Sequence, residues 1–189
     1  MRRTRADITF PTDTGRSQRG VTLLELAATM AIACLLLGLG LPSYLQMTQQ
    51  WRADATRNLL LSHFASARLT AVSHRRITAV CPSNGPDSGC RQDGDWSHGW
   101  LMFFDPDGDR QPNLPEDLLR HEAVSLPDAF RIRSSSGRPQ LRYLPNGMST
   151  GSNLTVRICL QERLMTEVIV NNAGRARSRR NGGGETCPP

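Results

Sequence analysis

The stretch RGVTLLELAATMAIACLLLGLGLP, residues 19–42, decides how the rest of the chain is read. From Val21 to Leu41 it is apolar except for Glu25 and two threonines, about the length that crosses a bilayer as a helix. Ahead of it, residues 1–19 are polar and carry Arg2, Arg3, Arg5, Arg16 and Arg19 against Asp7 and Asp13. Basic residues on that side keep the N-terminus cytoplasmic and send the remainder outward, which predicts a single-pass inner-membrane protein with a periplasmic body. An ordinary secretory signal has a shorter apolar core followed by a small-residue cut site. Here the small residue, Gly20, precedes the apolar run, and a carboxylate follows it by five positions. A lone acid in a membrane segment is costly and is retained where it has a partner. Cutting after Gly20 creates an amine at Val21, four residues from Glu25, and in an assembly the carboxylate of one subunit can meet the amine of its neighbour.

Arg19-Gly20-Val21-Thr22-Leu23-Leu24-Glu25-Leu26 resembles the class III leader of type IV pilins and type II secretion pseudopilins. The resemblance implies that a prepilin peptidase cuts after Gly20 and methylates the new N-terminus at Val21. It also implies that Glu25 aids docking into a filament of other major and minor pilins or pseudopilins. Val21 stands where the family commonly has phenylalanine, a position that varies.

Beyond the apolar run, Gly38, Gly40 and Pro42 predict a kink or local melting of the helix. Met47, Trp51, Ala55, Leu60, Phe64, Ala67 and Ala71 then recur at helical spacing opposite Gln49, Arg52, Asp54, Arg57 and Arg68, so an amphipathic helix is expected to about Ser73. Roughly fifty helical residues would extend about 75 Å. After His74 short runs read as strands: 76–81, 99–104, 118–123, 130–133, 140–144, 154–160 and 166–171, separated by turn-forming stretches. The expected organisation is a cleaved leader (1–20), a membrane or filament-core helix (21–41), its amphipathic continuation (42–75) and a β-rich periplasmic domain (76–189) with a basic C-terminal tail. The fold class is α+β, a long helix on antiparallel sheets, as the pilin resemblance also implies.

The body narrows the resemblance. Cys81-Pro82-Ser83, Cys90, Trp96-Ser97-His98-Gly99-Trp100, Phe104-Asp105 and Asn172-Ala173-Gly174-Arg175-Ala176-Arg177, in this order behind the leader, resemble the GspH/FimT group of minor pseudopilins. In that group the late Gly-Arg-x-Arg is associated with FimT, a minor pilin implicated in binding DNA during natural transformation. Two functions are therefore open: a FimT-like minor pilin that helps assemble a type IV pilus and binds DNA, or a GspH-like subunit with a structural role at the tip of a type II secretion pseudopilus.

The chain has 23 basic residues, all arginine, against 17 acids, a net charge of +6. Removing five arginines and two acids with the leader leaves 18 against 15. Arg175, Arg177, Arg179 and Arg180 concentrate this charge. In extended chain the alternating arginines Arg175, Arg177 and Arg179 point one way and can contact successive phosphates, giving salt-sensitive, sequence-independent binding. The plainer reading is a solvated basic tail, or one that meets neighbouring subunits. Gly182–Gly184 are expected to leave the end mobile.

Of five cysteines, Cys34 lies in the apolar run and reads as a small buried hydrophobe. Cys81, Cys90, Cys159 and Cys187 lie in an exported body, which implies two disulfides with three possible connectivities. We expect Cys81–Cys90, closing a Pro/Ser/Gly-rich segment, and Cys159–Cys187, tying the C-terminus to a strand. The eight residues between Cys81 and Cys90 do not match the close pairs of a zinc ribbon. Asp105-Pro106-Asp107-Gly108-Asp109 resembles part of a calcium loop, but the register is broken and an acidic turn is the better reading. His63, His74, His98 and His121 have no nucleophile–base or metal-ligand spacing and read as surface or helix-face residues. Trp96 and Trp100 read as core rather than as stacking platforms. No enzyme, metal or cofactor is indicated, and energy for assembly must come from a separate ATPase.

Overall fold

The computed structural model describes residues 20–181 and 185–188. Residues 1–19 of the expected leader (1–20), the glycine run 182–184 and residue 189 lie outside the described residues. The chain divides into two compact units, residues 1–44 and 45–189.

Helix α1 is Leu23–His74, 52 residues. At its start the backbone N–H of Glu25 donates to Thr22 Oγ1 (3.2 Å), so Thr22 is the N-cap and Glu25 lies in the first turn. Thr22-x-x-Glu25 thus has the pattern of a capping box, with the acid beside the positive end of the helix dipole. In the first unit the apolar side chains from Val21 to Leu41 are exposed, and α1 contains a segment long and apolar enough to cross a membrane. Contrary to the expected melting, helical structure is unbroken through Gly38, Gly40 and Pro42. Proline removes one hydrogen bond, to the carbonyl four residues back, and that residue is Gly38, whose lack of a side chain eases the ring's approach. Cys34, expected to be buried, is free and exposed. Arg75, with φ 52°, leaves helical geometry and ends α1.

In the second unit α1 buries Ala53, Thr56, Leu60, His63, Phe64, Ala67 and Ala71. The 3–4 spacing of these residues is true helical periodicity. Met47, Trp51 and Ala55, expected on the same stripe, are exposed, because a four-to-five spacing drifts off that face.

Strands β1 (Thr78–Pro82), β2 (Gly99–Phe104), β3 (Leu118–Ala123) and β5 (Leu141–Tyr143) form one sheet in the order β3-β2-β1-β5. Strands β4 (Phe130–Ser134), β6 (Leu154–Leu160), β7 (Arg163–Val170) and β8 (Ala176–Arg180) form the other, in the order β4-β6-β7-β8. Neighbouring strands in both sheets are antiparallel. β8 corrects the expectation of a basic tail. Its backbone pairs with β7 from Thr166–Arg180 to Val170–Ala176, and Ala176 packs against the core cluster.

One core cluster joins α1 to both sheets, through Leu60, Phe64 and Ala67 from the helix, Val80, Trp100 and Tyr143 from the first sheet, and Ile132, Val156, Ile158, Val168 and Val170 from the second. Trp96 and Trp100 are fully buried in it. A smaller cluster, Ala79, Cys81, Cys90, Leu101 and Phe103, covers the first sheet's other face. His63, expected at a surface or helix face, is 2% exposed. Its Nδ1 accepts from Trp100 Nε1 (3.0 Å), and its Nε2 faces Glu122 Oε2 at 3.5 Å. Burial, with Arg120 acting in the same direction and Glu122 opposing, lowers its pKa below the ordinary imidazole value.

Candidate functional site

The β7–β8 hairpin places the four C-terminal arginines. Its turn closes where the Asn171 N–H donates to the Arg175 carbonyl (3.2 Å) and the Arg175 N–H to Asn171 Oδ1 (2.9 Å). Gly174 sits in this turn at φ +74°, where a side chain is strained, and a Cβ there would collide with the Gly147 carbonyl oxygen. Arg68 of α1 binds the same corner, donating to the carbonyls of Gly147 (2.9 Å) and Ala173 (3.3 Å). Helix, 144–148 turn and hairpin are thereby fixed to one another.

The pleat then sorts the arginines. Arg177 lies opposite Ile169 and Arg179 opposite Glu167, so both stand on the face of the sheet turned away from α1. Arg179 is ion-paired there with Glu167 (2.8 Å) and Glu185 (3.6 Å). Arg180 points to the other face and pairs with Asp54 of α1 (2.7 Å), which also holds Arg57 (2.8 Å). Arg175 and Arg177 are exposed, and among the described residues neither has an acidic side chain within ion-pair distance. The arginine segment thus contains two engaged side chains and two available ones. Sequence reading named all four but missed Asp54 and Glu167, whose roles follow only from tertiary pairing.

Cys81 is bonded to Cys90 and Cys159 to Cys187, with Cα separations of 5.5 and 6.1 Å. The second bond carries the C-terminal segment back along β7, where the Leu164 N–H donates to the Glu185 carbonyl (3.0 Å) and the Cys187 N–H to the Glu162 carbonyl (2.6 Å). In the acidic turn, carboxylate oxygens of Asp105, Asp107 and Asp109 come within 4.8 Å of one another. Asp105 is buried and ion-paired with Arg142 (2.9 Å), and Asn113 Nδ2 donates to Asp107 (2.7 Å) and Asp109 (3.0 Å). Asp105 thus has a cationic partner from β5, while Asp107 and Asp109 share a neutral amide donor. Gly20, Val21 and Glu25 are exposed at the start of α1, apart from the β-rich body in sequence and in unit.

A long helix with an apolar N-terminal segment, packed on two antiparallel sheets that carry two disulfides, is the architecture of the type IV pilin-like class. The model of the family described as Type II transport protein GspH matches residues 56–174, more than half of the chain, and the protein belongs to that family. Two crystal structures of the type IV minor pilin FimU from Pseudomonas aeruginosa (strain PAO1) are similar in fold, each 19% identical in sequence. One covers 75% of this chain and 99% of its own with a TM-score of 0.57, the other 71% and 99% with a TM-score of 0.53. The minor pseudopilin EpsH from the type 2 secretion system of Vibrio cholerae is 12% identical over 69% of this chain and 98% of its own, with a TM-score of 0.49. A comparison with curated proteins finds no match in sequence.

Proposed function

We propose that the protein is a FimT-like minor pilin that contributes to assembly of a type IV pilus and binds DNA without sequence preference for uptake in natural transformation. The observation that carries this reading is the pair Arg175 and Arg177, exposed beside a rigid hairpin and free of acidic partners among the described residues. On a paired strand the backbone is already ordered, so only the side chain's rotamers are fixed on binding, and the guanidinium offers a fork that matches a phosphate. Arg179 and Arg180 would add to binding only by exchanging Glu167 or Asp54 for phosphate, so they rank below the first pair. The leader is cut after Gly20 by a prepilin peptidase, Val21 is methylated, Glu25 aids docking, and the apolar helix holds the subunit in the inner membrane before assembly.

Replacing Arg175 and Arg177 by glutamine should weaken binding of the full chain, in detergent, to unrelated duplexes about equally. It should reduce the slope of log affinity against log salt by about two. Lysine at both positions should restore part of it, because charge returns without the fork. Transformation should fall while pili still form. A glutamine variant that binds and transforms like the wild type would overturn the reading. The GspH match favours a second one, a structural subunit near the tip of a type II secretion pseudopilus. Genes for pilus minor subunits beside this one support the first reading, a secretion operon the second.

A further inference from the structure

The outer face of the β4-β6-β7-β8 sheet is arginine-rich well beyond the C-terminal segment. Register places Arg133 opposite Arg157, Arg157 opposite Glu167, and Glu167 opposite Arg179, so one row across all four strands reads Arg-Arg-Glu-Arg. Arg177 stands in the next row, on β8, and Arg131 two residues from Arg133 on β4. Ile132 between them is fully buried, which turns both arginines outward. The face thus carries five arginines. Glu167, 6% exposed, lies between Arg179 (2.8 Å) and Arg157 (4.0 Å), and Glu185 also meets Arg179 (3.6 Å), so two acids compensate part of the charge. Asp95, bridged to Arg133 through the backbone, is already engaged by Arg91 and by the Ser97 N–H. Arg131 and Arg133 are exposed and have no ion-pair partner among the described residues. Beside them a cleft of about 270 Å³ opens against the Cys159–Cys187 bridge.

We propose that this face is a continuous track for the phosphate backbone of double-stranded DNA, running from Arg175 and Arg177 on the hairpin across Arg179 and Arg157 to Arg133 and Arg131. The proposal rests on the DNA-binding reading of the hairpin and extends it to β4 and β6. Neighbouring strands lie about 4.8 Å apart, so the row from Arg133 to Arg179 spans about 14 Å. That is the length of about four base-pair steps of duplex DNA at the ~3.4 Å axial rise. The contacts are to backbone alone: the cations stand across a four-stranded face, which is too broad to enter a groove.

The test measures binding of the full chain, in detergent, to fluorescent duplexes of unrelated sequence over a salt series. It compares the wild type with three double variants: Arg131→Gln/Arg133→Gln, Arg175→Gln/Arg177→Gln, and Arg110→Gln/Arg120→Gln, the last removing two exposed arginines outside this sheet. The β4 variant should lower the salt slope by about two, as the hairpin variant does, while the third leaves it unchanged. If the β4 variant binds like wild type while the hairpin variant is weakened, the track is wrong and the hairpin reading stands. If the β4 and third variants weaken binding equally, net charge rather than this face is responsible, and the proposal fails. If the wild type does not bind duplex DNA, both readings fall.

Discussion

Gly174 and His63 show how much of the body's geometry hangs on single residues. At Gly174 the backbone is left-handed and the space a methyl group would need is taken by the Gly147 carbonyl and the Tyr143 ring. Gly174→Ala should therefore cost more than the roughly 1 kcal/mol of conformational strain alone, and should loosen the arginines that follow. Gly137 is its control: φ is +82° but nothing lies within 4 Å of the added Cβ, so alanine there meets strain without collision. Urea unfolding of both variants checks the ordering, and equal losses would refute it. His63 is held neutral, its Nδ1 accepting from Trp100. Because its pKa is depressed in the folded state, the unfolded chain binds more protons below the free histidine value of about 6.5. Its contribution to stability is present above that pH and is lost as pH falls through the folded pKa. His63→Gln, which cannot protonate, should be less stable than the wild type at pH 7.5 yet lose less on acidification to pH 5. Parallel pH profiles would show that this histidine does not titrate with unfolding.

Among the elements, β8 and the C-terminal staple decide whether the arginines form a surface or a loose end. The Cys159–Cys187 bond closes a sequence separation of 28 residues around that strand, and cross-linking such a loop stabilises by about 3 kcal/mol in the chain-entropy account. Cys159→Ala/Cys187→Ala should lower stability by that order and speed amide exchange in residues 185–188 and in β8. A loss under about 0.5 kcal/mol would mean that backbone pairing with β7 holds the segment unaided. The central strands were legible because Gly99-Trp100-Leu101-Met102-Phe103-Phe104 and Leu154–Leu160 have the apolar character that buried strands require. β8 was not, since Ala-Arg-Ser-Arg-Arg contains nothing apolar larger than alanine and borrows its order from β7. The arginines of the candidate site were legible by charge, and their availability was not. Arg179 and Arg180 are engaged by acids 12 and 126 residues away, and no local pattern encodes such pairs. The outward arginines of β4 left one signal, the alternation Phe130-Arg131-Ile132-Arg133, which reads as a half-buried strand once the register is known.

For the whole molecule the two compact units make separable demands on the sequence: an N-terminal segment suited to membrane and filament, and a body cross-linked by two disulfides. The family and the minor-pilin fold leave processing to be tested at their junction with the leader. We expect mature protein to begin at Val21. Gly20 offers a peptidase no side chain to obstruct it, and the helix does not start until Leu23, so the bond between Gly20 and Val21 lies ahead of the helix, outside regular secondary structure. Glu25 lies in the first helical turn, its N–H capped by Thr22, four residues from the amine that cutting would create. Mass spectrometry of filament-associated protein should show a chain starting at Val21 and heavier by one methyl group. Replacing Gly20 by a bulky residue should leave the leader attached and keep the subunit in the membrane. Glu25→Gln should still be cut, since the cap and the scissile bond are unchanged, but should enter filaments poorly because no carboxylate meets the neighbour's amine. Filament-associated chains that retain residues before Val21, or a Glu25→Gln subunit that assembles like the wild type, would separate this protein from the processing route that its N-terminal segment resembles.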